Sequence, residues 1–450
     1  MKKISSSKLE RGLGLKEAAA LNMLDMIGIG PFIVLPIVIR EMGGPQCLLA
    51  WILGALLSLM DGAVWSELGA AMPEAGGSYV FLKEIYGPKS WGKLFSFLLI
   101  WQTIFQAPLV IASGAIGFSQ YFTFLVPMGT IGQKIVAGIL IIAIVVLLYR
   151  RITTVGKISV FLWIGVIATI LWLIFGGATH FNSKIAFDFP PGAFNFSFIF
   201  FAGLGSASVQ TIYTYLGYYN ACNLGSEIKE PKKNIPKSIL ISIVGIAVLY
   251  LLMQLSVLGV VPWREAMNSK FIVSAFVERI YGSGAAIIAT ILILWIAFSS
   301  LFSAALGYSR IPYAAAVDGS FFKIFARTHP KKNFPTASLL ILGAIAFVFS
   351  LLFRLKEVIS AILAMRIIIQ FIGQAVGIII LRRKKTSSFF PFKMWLYPLP
   401  ALIAIIMWIG LFFSTGMYFA IGGVVVIMTG TIVFFVRAYY KKDWPFMNIL

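Results

Sequence analysis

The chain has 450 residues, of which 60% are hydrophobic and only 12% charged, and Lys+Arg outnumber Asp+Glu 37 to 16 for a net charge of +21. Soluble domains carry about a quarter charged residues, so this composition cannot cover a water-facing surface. Two cysteines, Cys47 and Cys222, both within apolar stretches, suggest neither a disulfide framework nor a metal site.

From the N-terminus, Met1 to Lys16 is polar and basic, and the first apolar run lacks a small-residue cleavage site. This reads as a cytoplasmic tail and not a signal peptide. Apolar runs near the ~20 residues that a membrane-spanning helix needs then recur throughout. They predict about twelve helices, at 17–39, 46–71, 94–126, 132–149, 154–176, 197–224, 236–261, 284–317, 336–353, 356–381, 394–414 and 416–438. With the N-terminus in the cytoplasm, 28 of the 37 basic residues fall in cytoplasmic loops. Eight fall outside (Arg40, Lys134, Lys184, Arg264, Lys270, Arg279, Arg354 and Lys356) and Arg366 lies within a segment. That is the positive-inside pattern, so both termini should be cytoplasmic and the basic excess reports topology, not a nucleic-acid footprint. No polar connection is long enough for a soluble domain, so 1–450 reads as one multi-pass domain of the cell membrane.

Two of these segments are interrupted. Gly28-Ile29-Gly30-Pro31, with Pro36 close behind, breaks the first; Tyr215-Leu216-Gly217-Tyr218-Tyr219-Asn220 breaks the sixth. Broken helices survive in a bilayer only where they line a protected cavity. A matched pair, one per half, points to a transporter site near the midplane. If segments one and six correspond, the repeat unit is five helices. Five is odd, so the copies (17–176 and 197–381) are inverted, with two accessory helices at 394–438.

Several motifs carry a family resemblance. Glu67-Leu-Gly-Ala-Ala-Met-Pro-Glu-Ala-Gly-Gly-Ser-Tyr79, continuing to Tyr86-Gly87-Pro88, resembles the second-helix signature of the amino acid–polyamine–organocation (APC) superfamily of permeases. Gly28-Ile29-Gly30-Pro31-Phe32 is similar to its first-helix break, and Gly217, Glu227 and Pro231 to its sixth-helix pattern. Arg310, Ala315-Ala316-Val317-Asp318-Gly319 and Phe334-Pro335 resemble the stretch between helices eight and nine. The resemblance implies an all-α membrane protein with a LeuT-like five-plus-five inverted repeat and discontinuous helices one and six. It also implies carriage of amino acids or related amines, without cofactor or metal.

The expected binding residues are Ile27, Gly28, Ile29 and Gly30, where an unwound turn exposes N–H groups beside a positive half-helix end suited to a carboxylate. The second set is Tyr215, Leu216, Gly217, Tyr218 and Tyr219, where freed carbonyls can accept from an ammonium. Glycines that merely permit close helix packing are the plain alternative. Gln102, Gln106, Trp295, Phe298 and Ser299 are further candidates for selectivity, with packing as their ordinary role. Several polyamine-moving relatives have an acid where Tyr219 falls, which tilts the substrate towards a neutral amino acid.

Ionisable residues inside spans are costly and become functional candidates. Asp25, a turn before the first break, is the candidate proton carrier, with a capping or packing carboxyl bonded to a neighbouring helix as its alternative. Asp61 and Glu67 lie on different helix faces and need separate partners. For Glu227 the resemblance suggests an inner gate or a conformational latch, with a solvated loop carboxylate as the plain alternative. Arg366, in a stripe with Gln370 and Gln374, is a gating candidate, and Asp25 and Asp61 are conceivable ion-pair partners for it. Some relatives place a lysine in helix five where Val166 falls here; neither that lysine nor a hydroxyl-rich sodium site is evident, so a proton-coupled carrier using a carboxyl is the first expectation. Exchange of one solute for another and transport of polyamines or organic cations are the alternatives. An enzyme lacks a constellation to support it, since His180 and His329 fall in loops on opposite faces. Paired breaks also suit alternating access better than a channel. The expected partners are the amino acid or amine, membrane lipid and H+, with no nucleic acid and no obligate protein partner.

Overall fold

The computed structural model describes residues 9–352 and 355–446, with the side chains of 355–358 outside the description. Arg354, the Lys356 side chain and the first eight residues of the basic tail therefore lie outside the described residues.

The described chain is helical. In order come α1 (Leu15–Met26), α2 (Gly30–Met42), α3 (Leu48–Ala71), α4 (Ser78–Tyr86), α5 (Trp91–Phe122), α6 (Thr130–Leu148), α7 (Ile152–Thr179) and α8 (Phe198–Tyr215). Then follow α9 (Pro231–Leu258), α10 (Ile272–Tyr281), α11 (Ser283–Tyr308), α12 (Arg310–Val317) and α13 (Thr336–Leu352). The last are α14 (Leu355–Arg366), α15 (Gly373–Lys384), α16 (Leu399–Ser414) and α17 (Met417–Lys441). Each apolar segment of the sequence falls on helix. Among the described residues, eight helices are long and apolar enough to cross a bilayer, nine when the bent α1–α2 pair counts as one; α13 and α16 are shorter apolar helices.

Broad apolar faces look outward, as with Ile139, Ile142 and Val146 on α6, Phe161, Ile164 and Phe175 on α7, and Ile406 and Phe413 on α16. Surface of this kind is too extensive for water and suits hydrocarbon. Inside, the largest buried side chains are Trp51, Trp65, Trp408 and a set of tyrosines including Tyr215, Tyr218, Tyr219 and Tyr250.

Helix punctuation follows the residues. Gly43 ends α2 in a left-handed conformation (φ 73°), which glycine adopts without steric cost. Pro231 opens α9, where its missing N–H is no loss. Between α14 and α15, Ile367–Ile372 is wound as a π-helix, a feature that recurs at functional sites. The α1–α2 pair bends by 42° at its three-residue break. Around it, α1 packs on α7, α9 and α11, and α2 packs on α8.

Candidate functional site

Both interruptions form, and they touch. At the first, Ile27 N–H still returns to Met23 O (2.8 Å) and Gly28 N–H to Met26 O (3.1 Å) before α2 restarts at Gly30. Ile29 N–H has no hydrogen-bond acceptor among the described residues, whereas Phe32 and Ile33 N–H both return to Ile29 O (3.2 and 3.3 Å); Pro31 carries no N–H to satisfy. At the second, α8 ends at Tyr215, and the chain turns through Gly217 at φ 121°. Asn220 N–H then closes on Gly217 O (2.9 Å).

Gly217 is obligatory on two counts. Its φ is one that L side chains rarely adopt, and a Cβ there would lie 2.7–2.8 Å from the backbone and Cβ of Asp25 and from Met26 N. Gly28 and Gly30 bring the first break equally close to its neighbours: a Cβ on Gly28 would meet Ser300 Oγ at 2.8 Å, and one on Gly30 would meet Thr214 Cγ2 at 3.0 Å. One hydroxyl ties the halves together. Tyr250 of α9 donates to Met26 O (2.8 Å) and lies 3.2 Å from Thr214 O, so the carbonyl ends of both half-helices share a partner.

Between the breaks lies a cavity of about 60 Å³, well above the ~10–15 Å³ that one water needs. Gly28, Ile29, Gly30, Leu216, Gly217, Tyr219, Asp25 and Arg366 all line it. Three expected residues do not. Ile27 is fully buried in the apolar core. The Tyr215 ring packs edge-on against Trp51 and Tyr250 (centroids 6.3 and 5.1 Å), and Tyr218 donates to Asp61 Oδ2 at 2.5 Å. A tight turn aims consecutive side chains in different directions, so only one of the tyrosine pair can face the cavity. The candidates from α5 and α11 also miss it: Gln106 donates to Tyr308 Oη (3.1 Å) and Trp295 to Leu162 O (3.2 Å). Sequence reasoning overlooked Tyr213, Thr214, Ser300 and Tyr308, which do line it. Tyr213 and Thr214 fall just before the second break, and Ser300 adjoins a residue that was considered; Tyr308 carried no signal of its own.

Arg366 corrects an expectation. It forms no ion pair with Asp25 or Asp61 among the described residues. Its Nε donates to Gln370 Oε1 (2.8 Å) and its Nη1 to Tyr308 Oη (3.1 Å). The guanidinium lies 5.0 Å from the ring centres of Tyr219 and Phe371, a cation–π setting that offsets part of its burial. Its Nη2 has no hydrogen-bond partner. Asp61 is occupied instead by Tyr218 and by Trp408 Nε1 (3.2 Å). Asp25 has neither a hydrogen bond nor an ion pair through its side chain among the described residues, so the capping role is absent. The cavity thus holds one carboxyl without a side-chain partner and one guanidinium with a free Nη2 among the described residues.

The side of the molecule that carries the basic loops is sealed. Arg310 Nε and Nη2 reach Glu227 Oε2 and Oε1 at 2.8 Å each, with exposures of 2% and 0%. This removes the solvated-loop alternative for Glu227. The Glu227 carbonyl also accepts from Gly12 and Leu13 N–H (3.0 Å each), and Lys229 N–H donates to Leu13 O (2.7 Å). Glu67, as its helix face requires, has its own partners, Arg382 (2.6 and 2.7 Å) and Met394 N–H (2.8 Å). Asp318 accepts from Tyr79 and from Lys83 Nζ (2.5 Å). Burial alone would raise its carboxyl, but Lys83, Tyr79 and Ser320 together hold it below the usual range. On the opposite side a vestibule of about 670 Å³ opens, lined by Ser119, Gln120, Gln133, Lys134 and Gln210. A thin apolar layer of Ile33, Ile116 and Ile359 against Tyr213 lies between vestibule and cavity.

Among the described residues no cluster of His, Cys, Asp or Glu could hold a metal ion. The family model "Amino acid permease" matches residues 13–438. Cationic amino acid transporter 4 of Mus musculus is 26% identical over 405 residues, covering 85% of this chain and 61% of that protein. The chain therefore spans less than two thirds of that relative's length. The serine/threonine exchanger SteT of Bacillus subtilis (strain 168) is 24% identical over 422 residues, 91% of each chain. The branched-chain amino acid permease BcaP of the same organism is 23% identical over 460 residues, 96% of this chain and 94% of that one. With its matched helix breaks and a family match over residues 13–438, the chain is a multi-pass membrane protein that belongs to the amino acid permease family, a family of carriers and not of enzymes.

Proposed function

We propose that the chain is a secondary active transporter that moves an amino acid across the cell membrane by alternating access. It crosses the membrane twelve times, with both termini in the cytoplasm and the basic loops on that side. The observation that carries this reading is the pair of touching helix breaks around a small polar cavity. Free N–H groups near Ile29 and Gly30 take the α-carboxylate, and the carbonyl of Leu216 takes the α-ammonium. The five-plus-five inverted repeat is supported by packing. Each of the first four spans lies against its counterpart: α2 on α8, α3 on α9, α5 on α11 and α6 on α13. The sealed cytoplasmic side and open outer vestibule describe one end state of alternating access.

Asp25 is the proton carrier, since it faces the cavity with no side-chain partner. Arg366 stands in the same cavity and repels a polycation, which opposes the polyamine alternative. The similarity to the serine/threonine exchanger SteT favours a second reading, exchange of one amino acid for another. Thermal stabilisation of the purified protein by a panel of amino acids and polyamines tests the site, because a ligand that binds only the folded state raises apparent stability. Stabilisation confined to α-amino acids is expected; stabilisation by polyamines alone overturns the assignment. In vesicles, Asp25→Asn should lose pH-driven accumulation yet keep counterflow. Retained pH-driven accumulation in Asp25→Asn eliminates Asp25 as the proton carrier, and wild-type protein that shows counterflow without pH-driven accumulation leaves exchange.

A further inference from the structure

On the cytoplasmic edge, away from the transport cavity, two antiparallel helices carry the same gradient. Along α17, Val433, Arg437 and Lys441 fall at i, i+4 and i+8, one face about 12 Å long. Along α5, Ile104, Trp101, Phe97 and Lys93 follow one face towards the same membrane surface. Both faces are apolar at depth and basic at the end. Phe321 and Phe322, just beyond α12, close the third wall. The result is an apolar groove of about 340 Å³ bounded by Phe97, Trp101, Ile104, Phe322 and Val433, with Arg437 and Lys441 at its mouth. It shares Phe97, Arg437 and Lys441 with a second, polar recess of about 220 Å³ that is also lined by Lys83, Lys93, Asp318 and Asp443.

The charges in the recess do not cancel. Lys83 pairs with Asp318 and Lys93 with Asp443, at 2.5 Å each. Arg437 and Lys441 have no ion pair among the described residues. Arg437 is held over the Phe97 ring (5.7 Å to the centroid) and donates through Nη1 to Ser320 O (2.7 Å). Lys441 is exposed. Two cations at the head of a lipid-facing apolar groove complement one class of molecule, with an acidic head and acyl tails. We propose that this groove binds an anionic phospholipid of the cytoplasmic leaflet, its phosphate at Arg437 and Lys441 and an acyl chain along Phe97, Trp101, Ile104 and Val433. The proposal uses the membrane orientation given above but is independent of the transport cavity. Basic pockets between helices on the cytoplasmic side are suited to acidic headgroups, at about 1 kcal/mol for each Lys or Arg.

The test is thermal unfolding of the full chain in neutral detergent, titrated separately with phosphatidylglycerol, phosphatidylcholine and inorganic phosphate. Phosphatidylglycerol should raise the melting temperature saturably, whereas the other two should not. Arg437→Gln/Lys441→Gln should weaken the phosphatidylglycerol midpoint by about 30-fold, which is the two cations' ~2 kcal/mol. Val433→Trp, at an exposed position, fills the groove with the charges intact and should weaken it too, so the proposal stays testable if the double variant does not fold. Equal stabilisation by phosphatidylcholine overturns the charge selection. Stabilisation by inorganic phosphate alone makes this a free-anion site, and an unchanged midpoint in Val433→Trp removes the groove.

Discussion

Replacing Glu227 by Gln removes one charge from a bidentate pair that is almost wholly inaccessible to water. The Arg310 guanidinium stays charged and buried, and breaking a buried pair in this way costs about 3–5 kcal/mol. If the pair exists only while the cytoplasmic side is closed, the same energy biases the open–closed equilibrium. That corresponds to roughly a hundred- to a few-thousandfold shift towards the open state. The protein carries its own reporters. Cys222 is buried just past the second break, on the side that carries the basic loops, with its Sγ 3.7 Å from Trp65 O. Cys47 is buried at the start of α3, at the opposite end of the molecule. Alkylation by a membrane-permeant maleimide should therefore accelerate at least a hundredfold at Cys222 in Glu227→Gln, with Cys47 unchanged. The double replacement Glu227→Met/Arg310→Met should restore protection, because apolar substitutes for a buried ion pair are often neutral or stabilising. An unaltered Cys222 rate, or a parallel rise at Cys47, would falsify the view that this pair is a gate.

Tyr250→Phe should leave the carbonyls of Met26 and Thr214 without their shared donor and cost about 1–3 kcal/mol, read as a lower melting temperature and a raised KM for uptake. Gly217→Ala should abolish uptake while the protein still reaches the membrane, because its Cβ would strike the Asp25 backbone; uptake within twofold of wild type would refute the close approach. The depressed Asp318 carboxyl contributes stability that is complete above its unfolded pKa, about 3.9, and is lost as pH falls through the lower folded value. A melting series from pH 7 to pH 3 should therefore show Asp318→Asn less stable than wild type at neutral pH and the two curves merging in acid. Curves that stay parallel throughout would exclude the Lys83–Asp318 contact as the source.

The spans and both breaks were legible because each rests on a local signal: apolar length for the helices, and glycine with proline or polar neighbours for the interruptions. The cavity-lining backbone followed directly. Side-chain direction did not, since Tyr218 and Tyr219 are adjacent yet face Asp61 and the cavity respectively. Partners were hidden for a different reason. Glu227 and Arg310 are 83 positions apart, and nothing local distinguishes that pairing from one with Lys229. The stripe of Arg366, Gln370 and Gln374 does connect, through Arg366 Nε to Gln370 Oε1 and Gln374 Nε2 to Gln370 O (2.6 Å). Yet the π-helical winding of Ile367–Ile372 between them leaves no mark in a run of isoleucines.

The pairing of Leu13 with Ile228 also constrains how the protein is made. Leu13 docks through an isolated backbone bridge on a segment 215 residues further along, and ribosomes extend chains at about 5–20 residues per second. For roughly 10–40 s of synthesis at that rate the first half-helix is made while the segment that anchors it does not yet exist. During that interval the half-helix depends on its nearest neighbours alone. The closing of the cytoplasmic side thus becomes an event timed by translation, completed only after the sixth span has left the ribosome.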